Sequence, residues 1–109
     1  MTQRREFRHF ERLRVRWAEV DLQQIVFNGH YLMYFDTAVS GWWPAMAVPY
    51  HATMAARQGD FFVRKTTLEC HASARFDDLI DVGVRAARFG NSSLVLQCAV
   101  FRGDQLLVS

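Results

Sequence analysis

The residue types that carry chemistry concentrate in one stretch, E-V-D-L-Q-Q-I-V-F-N-G-H-Y, running from Glu19 to Tyr31. A carbonyl under nucleophilic attack develops negative charge on its oxygen, and the first turn of an α-helix offers unpaired backbone N–H groups and a partial positive charge to receive it. Asn28 and Gly29 fall where such a helix starts, and Gly29, lacking a side chain, lets a ligand come close to the backbone. A carboxylate a few residues earlier then has two uses: it activates a water as general base, or it attacks the carbonyl itself and forms a mixed anhydride. Asp21 is that carboxylate. The same residues have plainer roles, Asp21 as the cap of a turn after a strand and Asn28 as a helix N-cap whose backbone still serves the site. Glu19, two residues before Asp21, reads as a solvated carboxylate. His30, in the first turn of the helix, reads as a polar pocket-lining or structural residue with no catalytic role.

To be useful, these residues need a strand that ends before them and a helix that begins behind them. Leu13, Val15 and Trp17 alternate with Arg12, Arg14 and Arg16, the period of a half-buried strand over Arg12 to Trp17. Tyr31, Leu32, Phe35, Ala38, Val39 and Trp42 then recur at helical steps, and Pro44 predicts an end near Trp43. A shorter helix is predicted next, with Pro49 near its first turn and Gly59 just past its end. From Phe61 to Arg75 the period is two, and Thr66, Leu68, Cys70, Ala72 and Ala74 form a face of small residues on which the long helix is expected to sit. Asp77-Asp78, Gly90-Asn91 and Gly103-Asp104 mark turns. Between them, Ile80, Val82, Val84 and Ala86 line one strand and Leu94, Leu96, Cys98 and Val100 the next, and Leu106-Leu107-Val108 opens a last strand that the sequence cuts short at Ser109. This order predicts a single α+β domain over residues 1–109, one long central helix packed on a curved antiparallel sheet.

Composition narrows the function classes. At 109 residues, 50% of them hydrophobic and 22% charged, the chain is one globular domain and not a disordered tail. Its 13 basic and 11 acidic residues leave a net charge of +2, too little to demand nucleic acid as partner. Twelve of the 13 basic residues are Arg, and six of these lie between Arg4 and Arg16, as a patch for an anionic ligand or, more simply, a solvated strand face. Cys70 and Cys98 have no metal-binding spacing and read as small buried residues, and His9, His51 and His71 share no spacing that suggests a metal. There is no Ser-His-Asp order and no phosphate-binding Gly loop. With no signal-peptide core and no run of about 18 apolar residues, the expectation is a cytoplasmic, metal-free and cofactor-free hydrolase with no membrane and no nucleic-acid partner.

The ordered set of Asp21, Ile25-Val26, Phe27, Asn28-Gly29-His30 and Tyr31 resembles the hotdog-fold acyl-CoA thioesterases of the 4-hydroxybenzoyl-CoA thioesterase type. The segments A-R-F-D-D-L-I-D-V and R-F-G-N-S-S are similar to that family's strand-turn-strand elements, so the likeness runs from Leu13 to Val108. The resemblance implies a hotdog fold and hydrolysis of an acyl-CoA or aryl-CoA thioester, with Asp21 as base or nucleophile and the Asn28 backbone N–H, with that of Gly29, as oxyanion donor. Coenzyme A enters only as part of the substrate. The resemblance also places Arg88, Ser92 and Ser93 near the nucleotide of coenzyme A, where their other role is an exposed hairpin turn. Phe27, Tyr31, Tyr34 and Phe35 become candidates for an acyl or aryl pocket, although aromatic residues at this spacing also serve as core. This chain departs from the family at Gln24, where Gly is common, and at Asn28, where many members have His.

The resemblance further implies a homodimer or homotetramer in which the Phe61–Arg75 strand pairs with its copy and Asp21 faces Gln58, Gly59 or Phe62 of the other subunit. The last strand is expected between the Ser92–Arg102 strand and the Phe61–Arg75 strand, with residues beyond Ser109 needed to complete it. Competing readings use the same features. Hydrolysis of an acyl group on a carrier protein needs the same Asp21, whereas a non-catalytic hotdog module that binds acyl thioesters would account for Gln24. Nucleic-acid binding on the Arg12, Arg14 and Arg16 face is the weakest reading, because that face lacks interleaved aromatic residues.

Overall fold

The computed structural model describes residues 2–46, 65–90 and 93–109. The predicted short helix with Pro49 and Gly59, the start of the predicted strand at Phe61, and Gln58, Phe62, Asn91 and Ser92 lie outside the described residues. Among the described residues four strands, β1 (His9–Arg14), β2 (Leu79–Phe89), β3 (Leu94–Arg102) and β4 (Gln105–Val108), form an antiparallel sheet in sequence order, and one helix, α1 (Asn28–Ala45), packs on it. This is the predicted α+β hotdog arrangement. Alternation fixes the register: Leu13 lies opposite Ile80, and Val82 opposite Val100, so the apolar sides of successive strands fall on one face.

That face carries the main core. Tyr31, Tyr34, Phe35, Ala38 and Trp42 of α1 bury against Ile80, Val82, Val84, Val100, Leu107 and Val108. Tyr34 takes the core place expected of Leu32, which is 41% exposed. The helix begins at Asn28 with Phe27 in the capping position and no side-chain cap, so Asn28 is the first helical residue and not the N-cap. It also runs past the predicted end, with Pro44 inside its last turn, and closes where the Met46 N–H donates to the Trp42 and Trp43 carbonyls.

The opposite face of the sheet is covered by the N-terminal segment. A 3-10 turn at Arg4–Glu6 precedes Phe7, which buries with Ala99 and Phe101 and packs with Phe10. Gly83 makes this possible, since a Cβ there would lie 2.8 Å from Phe7 Cγ and 3.0 Å from Phe10 Cε1. Four of the six arginines predicted to lie on a solvated face or an anion-binding patch are paired with acids: Arg12 and Arg4 with Asp81, Arg14 with Asp77, Arg16 with Glu19.

Three expectations need correction. The first strand spans His9–Arg14 and not Arg12–Trp17; the chain turns in a 3-10 helix at Trp17–Glu19, which leaves Trp17 76% exposed instead of buried. Within the predicted Phe61–Arg75 strand, residues 65–75 form no ladder of their own. They pair locally, Glu69 with Ser109 through two backbone bonds, His71 and Ala72 with the Leu107 carbonyl, and Arg75 with Ile25 in an isolated bridge. Leu68, Ala72 and Ala74 do pack against the core, and the last strand does run between β3 and this segment. Finally, Cys70 is exposed; Cys98 is partly buried, and burial pushes its thiol up to about 12.

Candidate active site

The segment carrying Asp21 is a tight hairpin. Val20 and Val26 form an antiparallel bridge, the Asp21 N–H donates to the Ile25 carbonyl at 3.0 Å, and the Gln24 N–H donates to the Asp21 carbonyl at 2.9 Å. Gln24 closes the turn at φ 64°, the left-handed region where glycine is favoured. The Asp21 Oδ1 accepts the Gln23 N–H at 2.8 Å, so the turn-capping role read from the sequence is real. One such bond leaves most of the lone pairs of the carboxylate available, and Asp21 is exposed.

The hairpin is tied down on two sides. Val26 donates its N–H to the Ala74 carbonyl at 2.9 Å and Ile25 bridges Arg75, fixing one side to the 74–75 segment. At its base the Phe27 N–H donates to the Glu19 carbonyl at 3.1 Å, joining the hairpin to the start of α1. An open groove of about 880 Å³ results, with Asp21 in its wall beside Trp17, Val20, Leu22, Gln24, Arg75 and Phe76. The Trp17 and Phe76 rings meet edge to face, 5.6 Å apart.

The predicted oxyanion donors and aromatics form a second group. Asn28 and Gly29 occupy the first turn of α1, and the Phe27 ring lies beside Gly29, 3.3 Å from where a Cβ would stand, and 6.2 Å from the His30 ring. None of these residues lines the groove that holds Asp21. Phe27 is 57% exposed and therefore free to meet a ligand, whereas Tyr31 is not. Contrary to its expected place at the substrate, Tyr31 is a core residue whose hydroxyl accepts the Ala74 N–H at 3.0 Å, because its position on α1 faces the sheet; burial pushes its hydroxyl pKa up. Phe35 and Tyr34 are core for the same reason. Arg88 and Ser93 are exposed at the β2–β3 hairpin, where the Gly90 N–H donates to the Ser93 carbonyl. Among the described residues, no group of three His, Cys, Asp or Glu side chains is arranged to hold a metal ion.

Glu19 contradicts its reading as a solvated carboxylate. It is buried, bonded to Arg16 and to the Tyr34 hydroxyl, and those bonds outweigh desolvation to hold its carboxyl below the usual range. Its signal in the sequence was the three-residue step from Arg16, the spacing of a side chain that reaches back to cap a turn. The sequence does not mark Trp17, Arg75 and Phe76 as groove residues, since Trp17 and Arg75 fall at the ends of predicted strands.

Comparison with known proteins decides the family. A family model described as Thioesterase superfamily matches residues 23–109. The chain belongs to the thioesterase superfamily. The enzyme class expected from the sequence, thioester hydrolase, is the class of this family. Among its relatives, the Acyl-CoA thioester hydrolase YbgC of Escherichia coli is 26% identical over 97 residues, covering 89% of this chain and 72% of that protein. The crystal structure of the hypothetical protein TT1821 from Thermus thermophilus superposes with a TM-score of 0.85 at 30% identity, over 93% of this chain and 78% of the other. The DHNA-CoA thioesterase of Staphylococcus aureus shares the fold at 17% identity, with a TM-score of 0.82 over 92% of this chain and 67% of the other.

Proposed function

We propose that this thioesterase hydrolyses acyl-CoA or aryl-CoA thioesters to the free acid and coenzyme A, with Asp21 as the catalytic carboxylate. The observation that carries the reading is the placement of Asp21: an exposed carboxylate held on a hairpin that is pinned on two sides, in the wall of a groove with an aromatic pair. A carboxylate fixed in this way is positioned before the substrate arrives, which is where much of the advantage of a catalytic group lies. Acting as base, it takes a proton from water as the water oxygen bonds to the thioester carbon; the C–S bond then breaks and coenzyme A leaves as thiolate. Acting as nucleophile, its own oxygen forms that bond, coenzyme A leaves as thiolate, and water then cleaves the anhydride. In either course the backbone N–H groups of Asn28 and Gly29 receive the developing oxyanion.

Trp17 and Phe76 supply apolar area for the acyl or aryl group, with Phe27 and His30 at the mouth of the helix. Arg88, Ser92 and Ser93 contact the nucleotide, and Gln58, Gly59 and Phe62 reach the site from a second subunit of a homodimer or homotetramer. The chain works in the cytoplasm and needs no cofactor besides the coenzyme A of its substrate. Among the described residues no helix is long and apolar enough to cross a membrane. The test is a hydrolysis screen over acyl-CoA chain lengths, aryl-CoAs and acyl-carrier-protein thioesters with wild type and Asp21→Asn. Asn keeps an oxygen for the Gln23 N–H, so the turn survives while base and nucleophile are removed. Turnover is expected to fall by about 10²- to 10⁴-fold, and an undiminished rate in the folded variant would remove Asp21 from the mechanism.

A further inference from the structure

Glu19 has no part in the chemistry above, yet it carries four hydrogen bonds on a carboxylate that is 7% exposed. Oε1 accepts from the Tyr34 hydroxyl at 2.9 Å and from the Arg16 N–H at 2.8 Å; Oε2 accepts from Arg16 Nε at 3.1 Å and Nη2 at 2.9 Å. A buried carboxylate is tolerated when its lone pairs are satisfied in this way, and breaking one partner is then costly.

The direction of these bonds is what matters. Tyr34 belongs to α1 and is 4% exposed, so the side chain of Glu19 grips the body of the helix. The backbone carbonyl of Glu19 accepts the N–H of Phe27, the residue that leads into the first turn. One residue therefore holds α1 at two points. On its other side the chain passes at once into the hairpin, with the Val20 to Val26 bridge one residue away and Asp21 two. Contacts from Val26 and Ile25 fix the hairpin against the 74–75 segment. Its placement relative to the first turn of α1 runs through three links: the chain itself at Phe27, Ala74, which accepts the Val26 N–H and donates to the Tyr31 hydroxyl, and Glu19, the one link made by a buried charge.

We propose that Glu19 is a positioning residue of the active site: paired with Tyr34, it fixes the Asp21 hairpin against the first turn of α1 and so sets where the carboxylate stands relative to the Asn28 and Gly29 N–H groups. The kinetic consequence rests on the hydrolase reading; the structural one does not. Charge and shape both count, because Glu19→Gln turns an amide NH₂ toward the Arg16 donors, while Tyr34→Phe removes a single O–H and keeps the ring in the core.

The experiment measures both variants in two ways: amide hydrogen exchange at Asp21 and Phe27, with the β2–β3 amides as internal reference, and kcat and KM on the best thioester of the screen. Exchange at Asp21 and Phe27 is expected to rise about tenfold, from local opening of the hairpin base, with the reference amides unchanged. In the same variants kcat is expected to fall by up to about 10²-fold with KM little changed, the signature of a displaced reacting group. Should Glu19→Gln fail to fold, Tyr34→Phe carries the test. Unchanged exchange in folded Tyr34→Phe overturns the proposal, as does faster exchange with undiminished kcat. A wild type without turnover on any thioester overturns the hydrolase reading instead, and the exchange measurement then decides the positioning role alone.

Discussion

At the scale of single residues, the turn that presents Asp21 is strained at one position. Gln24 sits at φ 64°, where a side chain crowds the backbone, whereas Gly103, at φ 61° in the β3–β4 turn, has none to crowd. Left-handed geometry costs a non-glycine residue about 1–2 kcal/mol, and Gly loses about 0.5–1 kcal/mol more chain entropy on folding, so Gln24→Gly is expected to stabilise the protein by up to about 1 kcal/mol. A denaturant midpoint that falls in the variant would show that the Gln24 side chain contributes contacts that outweigh the strain. The placement of Asp21 in a turn and of Asn28 and Gly29 at the start of the helix was legible, because the polar run and the helical stripe behind it lie next to each other in sequence. Glu19 was not, since burial of a carboxylate depends on partners, and Tyr34 lies 15 residues away on another element. Trp17 differs from its expected place for a related reason: a period of two says which residues share a face but not where the strand stops, and β1 ends at Arg14, before the turn that begins at Trp17.

At the scale of elements, the β2–β3–β4 meander followed from alternation and turn residues because each strand pairs with its sequence neighbour. The 65–75 segment shows the same alternation, yet its ladder depends on partners distant in sequence: residues 69–72 pair where the end of β4 runs beside them, and residues 74–75 pair with the Asp21 hairpin. The N-terminal cover of the outer face was equally hidden, since Phe7 and Phe10 meet Phe101 only once three strands are in place. That cover makes Gly83 testable. A Cβ at this position lies under 3 Å from the Phe7 ring at its root, where the side chain has little freedom to yield. Gly83→Ala is expected to cost about 1–3 kcal/mol through overpacking, with the loss largely recovered in the Phe7→Ala background. Thermal unfolding of the single and double variants measures this directly, and equal additive losses would mean that the two positions are not in contact.

At the scale of the whole molecule, two buried carboxylates tie distant segments together. Asp81 on β2 binds Arg12 of β1 and Arg4 of the N-terminal turn, and the hydrogen bond from Arg12, with the other Arg partner, holds its carboxyl below the usual range; Glu19 is held low by Arg16 and Tyr34. Groups with depressed folded pKa values contribute stability above their unfolded values, near 4, and lose it as pH falls through the folded values. Unfolding temperature is therefore expected to drop below about pH 4, with a shallower acid limb in Asp81→Asn; an unchanged limb would deny Asp81 this role. Assembly is the larger question at this scale. Among the described residues, the groove that holds Asp21 is not lined by the first turn of α1, and it is rimmed by Trp17, Leu22 and Phe76, exposed at 76%, 104% and 50%. Exposed apolar residues clustered at a site mark a surface that meets another body. The 65–72 segment beyond β4 has no backbone partner on its outer edge among the described residues, and an open edge recruits a strand. A second copy of the chain would answer both features by closing the groove and covering the edge. The protein is accordingly expected to sediment as a dimer or a dimer of dimers, and its turnover per chain should fall on dilution as subunits separate. A monomer in sedimentation with full turnover at every concentration would place the complete site within one chain.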